Sequence, residues 1–269
     1  MGEPKLSGGG QAAPAGVQSV ARAFALLETL GGLGGQATIS QLAKSLDLAL
    51  PTIHRLLRTL VDLGYVRQLP SRRYALGPGL IRLGDRATTL LATWARPALE
   101  QLEETAQETA NLAILDGGMV TYVAQVPSRH QMRMFTEVGH RVYPHSTGVG
   151  KALLSRLSDD RVLSIVRRNG LPRLTATTIT TEAELLADLA EIRARGYSID
   201  EGEQELGVRC FAVPIDEAFT SMAVSVSGPN TRITLASAEW IVPALHNAAA
   251  LLTRTLRDDE RDHLRTSSS

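Results

Sequence analysis

The segment from Leu50 to Leu63 most constrains the fold, because its apolar and basic side chains separate onto opposite sides of a helix. At 100° per residue, one side is apolar and is formed by Ile53, Leu56, Leu57 and Leu60. The other side carries Pro51, His54, Arg55 and Arg58, with Thr52 at the helix start. An α-helix fits the major groove of DNA, and arginine suits bidentate contact with guanine or phosphate. Alone, such a face is more often simply a solvated surface.

The flanking residues favour the DNA interpretation. A helix is predicted from Val17 to the Gly-Gly-Leu-Gly-Gly run at 31–35, and a second begins at Thr38, which forms a capping-box pattern with Gln41. Gly64 ends the third helix. Strand-like runs at 65–69 and 73–76 then predict a hairpin with Arg72 and Arg73 near its tip. Together these elements predict a winged helix-turn-helix over residues 17–77, with its wing against the phosphate backbone.

The distribution of charge supports a nucleic-acid-binding module at this end of the chain. The whole sequence has a formal net charge of zero. Residues 17–77 nevertheless contain seven Lys or Arg against three Asp or Glu, and the remainder is correspondingly acidic. Such segregation is typical of one DNA-binding domain joined to an otherwise neutral protein.

Residues 78–93 are predicted to form a linker helix with a continuous apolar stripe. Such a stripe must be buried, either within the chain or against a second subunit. Dimerisation is favoured, since helix-turn-helix proteins usually bind paired half-sites. Arg96-Pro97 is predicted to end the pattern, so that a new helix begins near Pro97 and runs to Ala110.

The remaining residues, 94–257, predict an α+β domain around a mainly antiparallel sheet. Runs at 111–115 and 119–126 flank Asp-Gly-Gly, which is a strong hairpin signal. Further strands are expected at 132–138, 208–215 and 222–226. Helices are expected at about 147–157, 159–169, 182–195 and 236–256. The acidic series at 201, 203 and 205 predicts a solvated loop.

Composition restricts the setting in which such a chain acts. Cys210 is the single cysteine, so no internal disulfide can form, which fits a reducing compartment. No stretch approaches the roughly 20 apolar residues that a membrane span needs. Residues 1–16 indicate a disordered leader without the apolar core of a signal peptide, and residues 258–269 indicate a frayed, charged tail. A cytoplasmic location without membrane association is therefore expected.

With these pieces placed, the chain resembles the IclR family of bacterial transcription regulators across residues 17–257. The resemblance is carried by VQSVARAFALLETL, LALPTIHRLLRTLVDLGYVRQLPSRRYALGPGLIRLG, HSTGVGKALLS, RARGYSIDEGEQELGVRCFAVPI and SVSGPNTRIT. It implies an N-terminal DNA-binding domain, a dimerising linker helix and a C-terminal domain with a GAF-like sheet that binds a small effector. It also implies a homodimer or a dimer of dimers on a pseudo-palindromic double-stranded operator, with no cofactor besides the effector.

Within the family, the chain looks most like the allantoin and glyoxylate regulators of purine catabolism. In those proteins backbone amides at a loop-to-helix junction hold the effector carboxylate, and the matching loop at 145–150 points to Gly148 and Val149. Exposed N–H groups at a helix start form an anion site, which glycine lets a ligand approach closely. The other matching pocket positions are Asp200, Val208, Cys210, Ser225 and Ser227. A repressor released by a small carboxylate such as glyoxylate or allantoate is the function expected.

Other interpretations stay open for these residues. Ser225 and Ser227 could be core residues bonded to backbone, Cys210 an inert core thiol, and Asp200 a brace for the turn at 196–202. An activator of an aromatic or other organic-acid pathway is the alternative regulator. An unrelated alternative is a cysteine hydrolase using Cys210, His145 and Asp200, or a thiol redox sensor. No histidine stands at ligand spacing near the acidic series, so no metal site is expected. No nucleophile motif is present, so an enzyme is not expected.

Overall fold

A computed structural model of the protein describes residues 17–131, 138–215 and 221–266, and divides the chain into two compact units. Residues up to Ala87 belong to the first unit and those from Thr88 onward to the second. The predictions of a leader at 1–16 and a strand at 132–138 fall mainly outside the described residues. Within the described ranges, no helix is long and apolar enough to cross a membrane.

The first unit is a winged helix-turn-helix, as predicted. Its helices and strands follow the order α1 (Gln18–Gly32), β1 (Gln36–Ala37), α2 (Ile39–Leu46), α3 (Leu50–Asp62), β2 (Val66–Gln68) and β3 (Tyr74–Leu76). The three strands form an antiparallel sheet in the order β1-β3-β2. Strand β1 is too short to show a period-two pattern, and the sequence did not predict it.

Local signals determine where the helices of this unit begin and end. The Thr38 hydroxyl accepts a hydrogen bond from the Gln41 backbone N–H, and the Gln41 side-chain oxygen accepts one from the Thr38 backbone N–H, which completes the capping box. Asp47 ends α2 in the left-handed conformation at φ 49°. The side chains buried between the three helices are Leu26, Leu30, Leu42, Ile53, Leu57 and Leu60.

Helix α4 (Gly79–Ala106) contradicts the predicted break at Arg96-Pro97, since it continues through Pro97 as one helix. Proline in a helix interior removes one backbone hydrogen bond and usually ends or kinks the helix. Here Ala95 and Ala98 lie on either side of it, and both are buried with Leu99 and Leu102 in the core of the second unit. Burial of this face favours continuation of the helix over the local preference for a break.

The second unit is built on a six-stranded sheet in which every pairing among the described strands is antiparallel. The strands are β4 (Thr109–Asp116), β5 (Met119–Val126), β6 (Arg141–Val142), β7 (Ser198–Glu201), β8 (Val208–Ile215) and β9 (Met222–Pro229). Their order across the sheet is β6-β5-β4-β9-β8-β7. The predicted hairpin is confirmed, with Gly117 and Gly118 at positive φ in its turn.

Four helices accompany this sheet: α5 (Gly148–Leu154), α6 (Asp159–Asn169), α7 (Glu182–Arg195) and α8 (Ala238–Thr266). The Thr181 hydroxyl caps α7 by accepting the Glu184 N–H, and Gly196 ends the helix in the left-handed conformation. Helix α8 continues ten residues beyond the predicted end at Leu256, up to Thr266. Strands β6 and β7 were not predicted, because they are only two and four residues long and show little period-two alternation.

The two faces of the six-stranded sheet have different chemistry. One face contributes Leu112, Phe211, Val213, Val224 and Val226 to an apolar core with the second half of α4 and with α8. The other face packs against α5 and carries both small apolar residues and a set of buried polar side chains. Strand residues alternate between the faces, so the polar set is confined to the α5 side.

Candidate functional site

The basic face of α3 is exposed in the first unit. Pro51, His54, Arg55 and Arg58 are exposed, whereas Ile53, Leu57 and Leu60 on the same helix are buried. Thr52 is half-buried at the first turn. Within the described residues, Arg55 and Arg58 have no acidic side chain at ion-pair distance, so both guanidiniums are available to an external anion.

The two arginines of the hairpin differ in their surroundings. Arg72 is exposed and stands at φ 62° in the turn between β2 and β3. Arg73 instead lies against the neighbouring strand, where its Nη2 donates a hydrogen bond of 3.2 Å to the carbonyl of Gln36. Arg73 thus braces the small sheet, and Arg72 is the better placed of the two for a backbone phosphate.

In the second unit, most of the predicted effector residues lie together on the α5 side of the sheet. Strand pairing places Asp200 opposite Cys210 and Cys210 opposite Ser227, so the three form a row across β7, β8 and β9. All three side chains are buried. Val208 lies two residues from Cys210 on the same face of β8, at the strand start and only half-buried.

A second row runs parallel to the first and contains residues that the sequence did not single out. Ser198 lies opposite Ala212, which is followed across the sheet by Ser225, Asn111 and Gln125. Asn111 is buried and donates from Nδ2 to the hydroxyls of Ser225 (3.3 Å) and Ser227 (3.4 Å). A polar residue at an inward position of an apolar strand was the available signal for Asn111.

Helix α5 begins directly above these rows. A Cβ atom on Gly148 would lie 2.7 Å from the Cys210 Sγ, so only glycine permits this approach of the helix to β8. The Ser198 hydroxyl fixes the same residue by donating to the Gly148 carbonyl at 2.6 Å. Thr147 accepts the N–H groups of Gly150 and Lys151. The N–H groups of Gly148 and Val149 lie before the first backbone hydrogen bond of the helix, so no carbonyl of the helix accepts them.

The pKa values of the carboxyl and the thiol of this cluster are both raised above their ordinary values. Burial, and then the nearby Glu203, raise the pKa of Asp200 to about 7. Burial and then Asp200 raise the pKa of Cys210 to about 12. Burial, then Cys210 and then Asp200 raise the pKa of Tyr122, so this tyrosine lies beside the cluster. At neutral pH the thiol therefore keeps its proton, whereas a nucleophilic or redox-active cysteine needs the thiolate.

The acidic series at 201, 203 and 205 is only partly the solvated loop that the sequence predicted, because Glu201 ends β7 and Glu203 is buried, whereas Glu205 is exposed. The Glu203 carboxylate pairs with Lys151, which also lies 2.9 Å from an Asp188 oxygen. Burial lowers the pKa of Lys151, but Glu203 and Asp188 outweigh burial and hold it above its ordinary value. The Glu203 N–H donates to Asp200 Oδ1 at 2.7 Å, so this ion pair fixes one wall of the polar cluster.

His145 is also buried, but its contacts lead away from the thiol. Its Nε2 lies 3.1 Å from the carbonyl of Pro172, and burial lowers the pKa of the imidazole. No hydrogen bond joins His145 to Cys210 in the ranges that the structure covers. Those ranges also contain no group of three His, Cys, Asp or Glu side chains able to hold a metal ion.

Comparison with known proteins matches both units to domains of one family. Residues 19–70 match the IclR helix-turn-helix domain, and residues 87–254 match the C-terminal domain of the bacterial transcriptional regulator IclR. The chain belongs to the IclR family. Its members are DNA-binding transcriptional regulators, so the basic face of α3 lies in the family's DNA-binding domain and the polar cluster lies in its C-terminal domain.

Individual relatives include named repressors. The chain is 37% identical to the transcriptional repressor IclR of Escherichia coli K12 over 226 residues, covering 81% of this chain and 82% of that protein. It is 33% identical to the repressor AllR of the same strain over 233 residues, covering 84% and 86%. A solved IclR homologue from Microbacterium hydrocarbonoxydans, complexed with 4-hydroxybenzoate, is 25% identical with a TM-score of 0.59, covering 90% of this chain and all of that one.

The exposure of Arg58 generates a prediction about DNA binding. Arg58→Ala should weaken binding to operator DNA by about 5- to 150-fold, the value of one bidentate arginine contact, while effector affinity stays unchanged. Fluorescence anisotropy with labelled DNA from upstream of the gene measures the first quantity, and calorimetry the second. Arg254→Ala, which removes an exposed arginine from α8, is the matched control and should bind DNA as the wild type does. A parallel loss of effector affinity in Arg58→Ala would contradict the assignment.

The buried Asp200 generates a prediction about stability. Its folded-state pKa of about 7 lies above the ordinary value of 3.8, so the folded protein binds this proton more tightly than the unfolded chain. The free energy of unfolding should therefore fall as pH rises from about 4 to about 7. Asp200→Asn cannot titrate, and at pH 8 it should be more stable than the wild type by on the order of 1–4 kcal/mol.

Denaturant unfolding followed by tryptophan fluorescence measures this effect, because both tryptophans, Trp94 and Trp240, lie in the second unit. The control is Asp116→Asn, since the Asp116 side chain is 63% exposed. An Asp200→Asn variant that lost stability between pH 5 and pH 8 as steeply as the wild type would disprove the raised pKa.

Proposed function

We propose that this protein is a repressor that a small carboxylate effector releases from its operator. The observation that carries the proposal is the set of buried polar groups of Asp200, Cys210, Ser225 and Ser227 on one face of the sheet, beneath the start of α5. Ser225 and Ser227 accept hydrogen bonds from Asn111, and each keeps a hydroxyl hydrogen that can donate to a ligand oxygen. The similarity to two named repressors supports repression as the direction of control.

The chemistry of the cluster favours a small oxo acid. The N–H groups of Gly148 and Val149 suit a carboxylate, and the serine hydroxyls and a protonated Asp200 can donate to further oxygens. Glyoxylate satisfies these donors with three oxygens, and the larger allantoate also offers a carboxylate and carbonyl acceptors. The resemblance to the allantoin and glyoxylate regulators supports the allantoin pathway, whereas the identities to the repressors AllR and IclR, 33% and 37%, support repression.

An aromatic acid is the second candidate effector, with activation of its catabolic pathway as the function. The solved homologue with 4-hydroxybenzoate favours it, because that ligand is also a carboxylate. The side chain of Tyr122 beside the cluster would offer a ring to such a ligand. We rank it second because the identity to that homologue is lower than that to the two repressors.

We further propose that the DNA-binding unit self-associates through its apolar groove. This groove has a volume of about 570 Å³ and lies between α1, α3 and the first turns of α4. Val20, Phe24, Leu63 and Leu83 on its rim are each at least half exposed. A second copy of the chain is the expected occupant, since paired half-sites on a pseudo-palindromic operator require two recognition helices. A regulator that acts on DNA is also expected in the cytoplasm.

The effector proposal predicts a measurable coupling. Saturating glyoxylate or allantoate should weaken binding to the upstream DNA by 5- to 150-fold, the usual range for allosteric coupling. Fluorescence anisotropy with and without each acid, together with pyruvate and 4-hydroxybenzoate, ranks the candidates. Ser227→Ala should bind DNA normally and respond less to the acid, whereas Ser237→Ala, a buried serine at the start of α8, should respond as the wild type does. Tighter binding with the effector would contradict release.

The groove proposal predicts the effect of a charge on its rim. Leu83→Glu should shift the protein from dimer to monomer at micromolar concentration and weaken DNA binding, because a carboxylate cannot be buried against the second copy. Sedimentation velocity measures the oligomeric state. Leu33→Glu, at an exposed leucine outside the groove, should leave the dimer intact. Equal sedimentation of Leu83→Glu and wild type would remove this groove as the interface.

A further inference from the structure

A pocket of about 280 Å³ lies where α6 packs against the hairpin of β4 and β5. Asn169 holds the helix to this hairpin, since its Nδ2 donates to the carbonyl of Gly118 at 3.1 Å. The apolar part of the pocket lining is formed by Leu115, Leu157 and Ile165, and the polar part by Asn169 together with Arg161, Ser164, Arg168 and Ser221. The pocket therefore combines an apolar surface with cationic and hydroxyl groups.

This pocket is separate from the proposed effector site. Ser221 immediately precedes β9, and Ser227 lies six residues further along the chain. Six residues of extended strand span about 20 Å, so the pocket and Ser227 stand near opposite ends of β9. All residues that line the pocket belong to the second unit. A ligand bound here would therefore leave the face beneath α5 free.

The two arginines of the pocket lie on one side of α6. Arg161 and Arg168 are seven residues apart, close to two helical turns, and both are exposed. In the part of the chain that the structure describes, neither guanidinium has a carboxylate at ion-pair distance. Arg167 on the same helix differs, because it donates two hydrogen bonds of 2.9 and 2.8 Å to Glu182. Arg161 and Arg168 are therefore the cations of α6 that can receive an external anion.

Helix stability explains only one of these two arginines. The partial negative charge at the C-terminal end of a helix favours a cation, and Arg168 lies in the last turn of α6. Arg161 lies in the first turn, where the partial positive charge of the helix disfavours a cation. Asp159 in the same turn pairs instead with Arg193 at 2.9 Å. The pocket, rather than the helix, accounts for an arginine at position 161.

We propose that this pocket binds a small organic dianion such as a dicarboxylate, with one anionic group at Arg161 and the other at Arg168. Arginine binds a carboxylate or phosphate group through two parallel N–H groups, so each guanidinium suits one such group. Seven residues of helix separate the two arginines by about 10 Å along the axis, which favours two anionic groups over one. Ile165 lies between them and suits a carbon chain, and the hydroxyls of Ser164 and Ser221 can donate to further oxygens. The proposal adds a second ligand site to the sensing unit and does not rest on the proposed function.

A dicarboxylate and a matched monocarboxylate test the proposal on the full chain. Isothermal titration calorimetry compares adipate with hexanoate, which has the same number of carbon atoms and one carboxylate fewer. Adipate should bind about tenfold or more tightly than hexanoate, the value of one hydrogen bond to a charged group. Its affinity should fall as salt is raised, because the charges of both arginines are exposed to solvent.

Single substitutions identify the site at which adipate binds. Arg161→Ala and Arg168→Ala should each bind adipate about tenfold or more weakly than the wild type, and should lose the preference for adipate over hexanoate. Arg167→Ala removes the same charge from the same helix at a side chain outside the pocket, and should bind adipate as the wild type does. Ser227→Ala, in the proposed effector site, should also keep the wild-type affinity for adipate. Thermal unfolding checks that each variant is folded.

The outcomes separate this site from the proposed effector site. Absence of adipate binding, equal affinity for adipate and hexanoate, or folded arginine variants that bind adipate as the wild type does would overturn the proposal. Adipate affinity that falls in Ser227→Ala but not in Arg161→Ala would place the dianion in the effector site, and would overturn it as well. Glyoxylate and allantoate test the proposed function, which is therefore unaffected by the result with adipate.

Discussion

The antiparallel pairing of β4, β9 and β8 is the interaction on which the sensing unit depends. Its register places Cys210 opposite Ser227 and Ser225 opposite Asn111, so these four side chains face α5 together. A slip of one residue would turn them into the apolar core formed with α4 and α8. A buried polar group without a partner costs about 1–3 kcal/mol, which makes the register strongly specified. The same pairing thus protects the core and assembles a face able to recognise a polar ligand.

Elements with strong local signals could be predicted from the sequence. The capping residues Thr38 and Thr181 began their helices as expected, and Asp-Gly-Gly formed the predicted hairpin turn. The failures were at positions where distant contacts outweigh local preference. Helix α4 passes through Pro97 because its neighbours are buried on the sheet, and Glu203 is buried because Lys151 pairs with it. Neither contact has a signal within a few residues of the chain.

The candidate site was only partly accessible to sequence reasoning. Period-two spacing placed Val208 and Cys210 on one side of β8, and Ser225 and Ser227 on one side of β9. The resemblance to the family supplied the positions on α5. Spacing could not show which strands are neighbours, so Asn111, Ser198 and Tyr122 were missed although they adjoin Ser225, Gly148 and Cys210. Their roles follow from the strand order β5-β4-β9-β8-β7. Strand order is a property of the assembled sheet.

If the polar face beneath α5 holds the effector, a crystal structure of the protein with bound glyoxylate should show a carboxylate within hydrogen-bonding distance of the N–H groups of Gly148 and Val149. The remaining oxygen of the acid should face Ser225 and Ser227. This structure is the sharpest test of the proposed site. Density for the acid at any other site, with this face unchanged and solution titration showing saturation, would contradict it.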